Sequence, residues 1–214
     1  MSRHQKRQEV PKSWPIPRKG TTFVIRKNSE GIPLLILLRD VMGLVQNRRE
    51  LKKAVHKKDL LVCSRPIIDD SRSVSIFDTI TVVPAKKSYR VVLSRFGKYD
   101  IEEIDEKDSN VKISKIIGKK TLKGNKTQVN LLDGMNILCD KKCDVNDSVV
   151  VDLGKKSISK ILPLKEKSDV LVIGGKHIGT KGKIVKMLPE HKMAEVESEN
   201  ATFNALIKQI IILE

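Results

Sequence analysis

Apolar residues fall into short blocks along this chain, and one region carries helical spacing. Leu34, Leu35, Leu37, Leu38, Val41 and Met42 recur at the intervals of a helix's buried side. Pro33 suits the first turn of that helix, and Gly43 suits its stop. A second helix is predicted from Asn47, with Glu50 three positions on completing a capping-box pattern. It runs through Val55, and Leu51, Ala54 and Val55 share its buried side. Strands are expected at Leu60–Cys63, Pro66–Ile68 and Phe77–Val83, with a turn at Ser64–Arg65 between the first two. Residues 33–84 thus read as a small α+β module.

Beyond it the period shortens to that of strands. Tyr89–Leu93, Val111–Ile117, Thr127–Leu132, Met135–Leu138 and Ser148–Leu153 are Val/Ile/Leu blocks separated by Gly, Asn, Asp and Lys. Asp133-Gly134 and Leu153-Gly154-Lys155 are turn signals. Residues 85–167 read as a central β-rich domain, a small barrel. Residues 168–214 hold further blocks at Val170–Ile173, Lys183–Met187, Met193–Glu197, Thr202–Ile207 and Gln209–Leu213. They predict a five-stranded SH3-like barrel. The first 32 residues have no such pattern. The chain is therefore expected to be α+β and multi-module: arm, α+β module, central barrel, terminal barrel.

Charge gives this series of small modules a direction. The chain of 214 residues has 42 Lys and Arg against 26 Asp and Glu, a net charge of +16. Such an excess strengthens attraction to polyanions, either nucleic acid or an anionic membrane. The longest apolar run, Ile32–Leu38, contains Pro33 and ends at Arg39, short of the roughly 20 residues a spanning helix needs. The basic N-terminus has no apolar segment behind it, and three prolines within Pro11–Pro17 oppose an amphipathic presequence. A cytoplasmic protein is expected, with RNA as its polyanion.

Candidate contacts follow from where the cations cluster. In the arm they are Arg3, His4, Lys6, Arg7, Lys12 and Arg18, with Trp14, held among prolines, as a stacking or packing anchor. On the second helix, Arg48 with Lys52 and Arg49 with Lys53 are like-charge i,i+4 pairs. They suit an anionic partner or a merely solvated face. Lys119, Lys120, Lys123 and Lys126 crowd around Gly118 and Gly124 as a basic loop. In GGKHIGTKG, Gly174–Gly182, the glycines can bring backbone N–H groups close to phosphate. Lys176, His177, Lys181 and Lys183 add charge there. The order Thr180-Lys181 reverses a Walker A motif, and a strand is expected to follow rather than a helix. An ordinary glycine-requiring hairpin is the competing reading.

Signals for chemistry are sparse. Asp69-Asp70 is an adjacent carboxylate pair at a turn, read as solvated. Three cysteines with no export signal imply a reducing compartment. Cys139 and Cys143 form a C-x3-C pair without a second pair or a nearby histidine, so neither metal nor cofactor is expected. No small-molecule substrate is expected either.

The segments together resemble a known family, the archaeal/eukaryotic-type small-subunit ribosomal protein "S-four-e" family. His4-x-Lys6-Arg7 and Pro11-x-x-Trp14-x-Ile16-x-Arg18 match its opening signature, with departures at Gln8 and Glu9. Ile32–Val55 is similar to its S-four-type RNA-binding module, and Lys119–Leu138 to its internal barrel. Val170–Val185 looks like a KOW motif on an SH3-like barrel. Ser64-Arg65 stand where the family's hairpin usually has glycine. The resemblance implies a non-catalytic, ribosome-bound constituent of the small subunit. It implies binding to small-subunit rRNA, in the 5′ domain, and neighbouring ribosomal proteins as partners. Within the module it implies that Arg48 and Lys52 face RNA, supported by Arg49 and Lys53.

Two other classes compete. S-four-type modules also occur on RNA-modifying enzymes. Asn130-Leu131-Leu132-Asp133-Gly134 is the nearest match to a pseudouridine synthase's Arg-Leu-Asp segment, and it lacks the arginine. A translation or transcription factor using the KOW barrel on a protein partner is the other alternative.

Overall fold

The computed structural model describes residues 4–11, 13–26, 31–124, 126–139, 141–199 and 201–213. Arg3 and Lys12 lie outside the described residues. The fold is mostly β, with short helical pieces. It divides into two compact units, Met1–Val92 with Lys98–Lys112, and Leu93–Gly97 with Ile113–Glu214.

In the first unit the arm folds on itself: His4–Lys6 pairs antiparallel with Phe23–Arg26. Pro33 precedes α1, Leu34–Ile36, which widens at once into a π-type turn over Leu37–Val41. The Met42 N–H donates to the Leu37 carbonyl, and Gly43 stops the segment at φ 66°. A longer regular helix was expected. Ile36, Leu37 and Leu38 are buried in succession while Arg39 and Asp40 stay at the surface, so the buried stretch is wider than one regular helical stripe and packing sets its geometry.

The second helix, α2, spans Arg48–His56. The Asn47 side chain accepts from the Arg49 and Glu50 N–H groups at 3.0 and 3.1 Å, and Glu50 accepts from Gln46 N–H at 2.8 Å. That closes the predicted cap, displaced by one donor. Leu51 and Val55 face the core as their spacing required.

Against these helices runs a five-stranded sheet in the order Arg65–Pro66, Leu60–Val62, Thr79–Val82, Lys87–Leu93, Tyr99–Ile104. It continues past the expected division at 84/85, because Thr79–Val82 and Lys87–Leu93 form one hairpin. The turn after Leu60–Val62 is Cys63-Ser64 rather than Ser64-Arg65. Both residues are left-handed, at φ 51° and 59°, which costs a non-glycine residue energy. Side chains hold them there. The Cys63 thiol donates to Asp78 at 3.2 Å, and the Ser64 hydroxyl donates to Asn110 Oδ1 at 2.8 Å. Asp78 in turn accepts from Lys112, an ion pair whose two side chains are 7% and 2% exposed. Burial, then the Asp78 charge, pushes the Cys63 thiol up to about 12.

The second unit contains two five-stranded antiparallel sheets. One runs Asn136–Cys139, Thr127–Leu131, Val111–Thr121, Ser148–Asp152, Ser157–Leu162. It curls until its outer strands come together, a half-closed barrel. The other runs Thr202–Leu206, Met193–Glu197, Lys181–Leu188, Asp169–Val172, Ile210–Ile212. A 3-10 turn, Ile207–Gln209, leads into its last strand. Ser148 Oγ accepts from the Ile212 N–H at 2.9 Å, and Lys115 donates to the Ile207 and Ile210 carbonyls, tying the two sheets.

Candidate nucleic-acid interface

The predicted cations separate into those already engaged within the chain and those turned outward. Arg7 belongs to the first group. Its guanidinium donates to the Pro17 carbonyl at 2.7 Å, the Thr21 carbonyl at 2.8 Å and the Thr21 hydroxyl at 3.2 Å. It therefore holds the arm's two limbs together. Trp14 is 8% exposed, which puts it in the packing role and away from the surface. His4 tilts against Phe23 with ring centroids 5.5 Å apart. Lys6 and Arg18 are exposed.

An open cleft of about 560 Å³ in the first unit is bordered by His4, Arg7, Lys19, Arg39, Arg48 and Asp70. Lys19 and Arg39 were not among the predicted contacts. Arg18-Lys19 is a basic pair readable in the sequence, but the place of Arg39 beside α2 is a matter of packing. Arg39 donates to its neighbour Asp40 at 2.8 and 2.9 Å.

On α2, Arg48, Arg49, Lys52 and Lys53 are all exposed. Arg48 is also bound: its guanidinium donates to both carboxylate oxygens of Asp70. The hydrogen bonds from Arg48 hold the Asp70 carboxyl below its usual range. Asp69 accepts instead from the Ser71 N–H at 2.9 Å. The adjacent carboxylates thus do different jobs, and the solvated reading of Asp70 is corrected.

In the second unit Lys119 and Lys120 do not lie in a loop. They sit in the long strand Val111–Thr121, opposite Val129 and Gln128, and beyond it the Leu122 N–H donates to the Lys126 carbonyl at 2.8 Å. Successive strand residues point to opposite faces, so these two lysines diverge. Lys119 donates to Asp144 at 3.0 Å, and that bond raises its pKa. Lys123 and Lys126 remain exposed at the turn.

GGKHIGTKG forms the connection between Asp169–Val172 and Lys181–Leu188, with a strand after it. Lys176 and Lys181 are exposed. His177 stacks on Phe203, centroids 4.1 Å apart and planes 13° from parallel. Lys183 is exposed, in register with Asp169 on one side and Glu197 on the other, so acids flank its charge.

The residues singled out for possible chemistry have structural roles. Asp133 caps its own turn, accepting from the Met135 N–H at 3.0 Å. Cys63, Cys139 and Cys143 are buried and form no disulfide among the described residues. Burial, then neighbouring Cys139, raises the Cys143 pKa. Among the described residues no three or more His, Cys, Asp or Glu side chains gather as a metal site would require. Among the described residues no helix is long and apolar enough to cross a membrane.

Comparison with known proteins decides the family. A model described as "Ribosomal family S4e" matches residues 85–158, and the RS4NT (NUC023) domain matches residues 1–29. Small ribosomal subunit protein eS4 of Methanosphaera stadtmanae is 34% identical over 99% of this chain and 92% of its own length. The chain belongs to the eS4 family. The eS4 protein of Methanospirillum hungatei is 31% identical over 100% of the chain and 94% of its own length. The crystal structure of the 30S ribosomal protein S4e from Thermoplasma acidophilum has the same fold. It has a TM-score of 0.70 at 22% identity, over 84% of this chain and 93% of that one.

Proposed function

We propose that this protein is a non-catalytic, rRNA-binding constituent of the small ribosomal subunit. The observation that carries the reading is full-length likeness to proteins named for that subunit, at 34% identity over 99% of the chain. Exposed Arg49, Lys52 and Lys53 on α2, Lys123 and Lys126 on the central turn, and Lys176 and Lys181 on the glycine loop support it. So do Lys6 and Arg18 on the arm.

In this reading residues 1–32 are an arm, 33–84 an S-four-type RNA-binding module whose sheet takes two further strands from the start of 85–167, the rest of 85–167 a central barrel and 168–214 a KOW/SH3-like barrel. Each contributes phosphate contacts, and tethering raises the effective concentration for each next contact. Affinity is then largely electrostatic and falls with salt. The RNA region is the 5′ domain, and neighbouring ribosomal proteins complete the surroundings of the ribosome-bound, cytoplasmic chain. No cofactor takes part.

The test is sedimentation of a native lysate through a high-salt sucrose gradient, measuring this chain against small-subunit rRNA. One copy per small subunit, retained at high salt, is expected. A chain left at the top, or present in only a few per cent of subunits, overturns the proposal.

A further inference from the structure

We infer that Phe96 is a stacking platform for an unpaired RNA base, presented by a turn that the glycine loop holds in place. The inference rests on the RNA-binding reading above and adds to it a residue and a mode of contact.

Ser94–Gly97 closes as a tight turn, the Gly97 N–H donating to the Ser94 carbonyl at 2.8 Å, with Gly97 at φ 70°. Gly179 of the GGKHIGTKG loop lies directly on this turn at φ 86°. A Cβ on Gly179 would overlap the Ser94 carbonyl oxygen, and one on Gly97 would run into the Ile178 side chain. Backbone therefore packs on backbone, and both segments are buried at the contact. The contact fixes the backbone of the turn, and with it the direction in which Phe96 leaves the surface.

Phe96 leaves that turn 85% exposed. The other three phenylalanines have occupations: Phe77 is in the core, Phe203 stacks on His177 and Phe23 lies against His4. No described ring stacks on Phe96. The chain on either side of it is cationic, with exposed Arg95 before it and exposed Lys98 two positions on. Arg95 is next to it, its side chain 82% exposed and loosely paired with Glu199 at 3.5 Å. The loop beneath carries Lys176 and Lys181, both exposed.

A protein partner would call for more apolar surface than one exposed ring and the half-buried Ile178 against Gly97 provide. An exposed aromatic face beside cations is instead the combination that unpaired nucleic acid takes: the cations follow phosphate and the ring stacks on a base.

The experiment is a titration of the full chain with a transcript of its own small-subunit rRNA over a series of salt concentrations. Phe96→Ala should weaken binding between about fivefold and a hundredfold, the range of one base–aromatic stack. It should leave the slope of log affinity against log salt unchanged, since no phosphate contact is lost. Phe96→Trp should restore affinity, and its emission should be quenched by RNA above the background of buried Trp14. Wild-type affinity in Phe96→Ala overturns the inference while leaving RNA binding intact. So does normal RNA binding combined with failure to enter the subunit, which would make the ring a protein contact. If the wild-type chain does not bind the transcript, the broader functional reading has failed.

Discussion

Arg48 and Asp70 form a two-point ion pair, Nε to Oδ2 and Nη2 to Oδ1, the latter at 3.3 Å, linking α2 to the loop that follows the small hairpin. The Asp70 side chain is 10% exposed and that of Arg48 58%. One carboxylate thus answers one of the four cations on the helix proposed to meet RNA, while orienting it along the cleft edge.

Asp70→Asn should release that cation. RNA affinity should rise, and the salt slope should steepen by up to about 0.7–0.9 for one added phosphate contact. Stability should fall by no more than about 1 kcal/mol, because the Arg48 end of the pair is wet. Unchanged affinity and slope in filter binding would place Arg48 away from the RNA.

Replacing Arg49, Lys52 and Lys53 together with Ala should lower affinity and flatten the slope by up to about 0.7–0.9 per lost contact. The helix should survive, since Ala favours helix and the Asn47 cap is untouched. A slope equal to wild type would remove α2 from the interface.

The Lys112–Asp78 pair is sealed from water and also supports the left-handed Cys63-Ser64 turn. Lys112→Met leaves Asp78 buried without its counter-ion, held only by the Cys63 thiol and the Ser75 N–H, and should cost about 3–5 kcal/mol in urea unfolding. A loss under about 1 kcal/mol would mean that water reaches the carboxylate.

Lys115 is buried without a carboxylate partner, and desolvation lowers its pKa from 10.5 to about 8. Below pH 8 both folded and unfolded chains hold the proton, and the folded chain bears the cost of a buried charge. Between about 8 and 10.5 the unfolded chain binds the extra proton, so this group's contribution to stability rises with pH, by about 3 kcal/mol in all. Wild-type and Lys115→Met unfolding free energies should therefore diverge over that window, in favour of wild type. Parallel curves would refute the burial of this charge.

Local features of the fold were legible because their partners lie within a few positions. Asn47 caps α2 through N–H groups two and three residues on. Asp133-Gly134 makes its turn with a bond spanning two residues, and Met193–Glu197 appears as a strand with the bounds its alternation gave. The strands Tyr99–Ile104 and Ser157–Leu162 escaped notice because acids and lysines interrupt their apolar alternation. They are held by pairing with neighbouring strands.

From its sequence alone this protein was determined to be basic, built of short strands around one small helical region, and similar end to end to one ribosomal family. Tertiary structure decided which charges are available. Arg7 is taken by Pro17 and Thr21, Arg48 by Asp70, Lys119 by Asp144, and Lys112 by Asp78. It also brought Gly179 onto the turn that carries Phe96. A cap or turn spans a few bonds, so the chain's own covalent spacing specifies it. An ion pair between distant segments exists only where strand pairing and core packing bring the two side chains together, and short-range patterning does not contain that information.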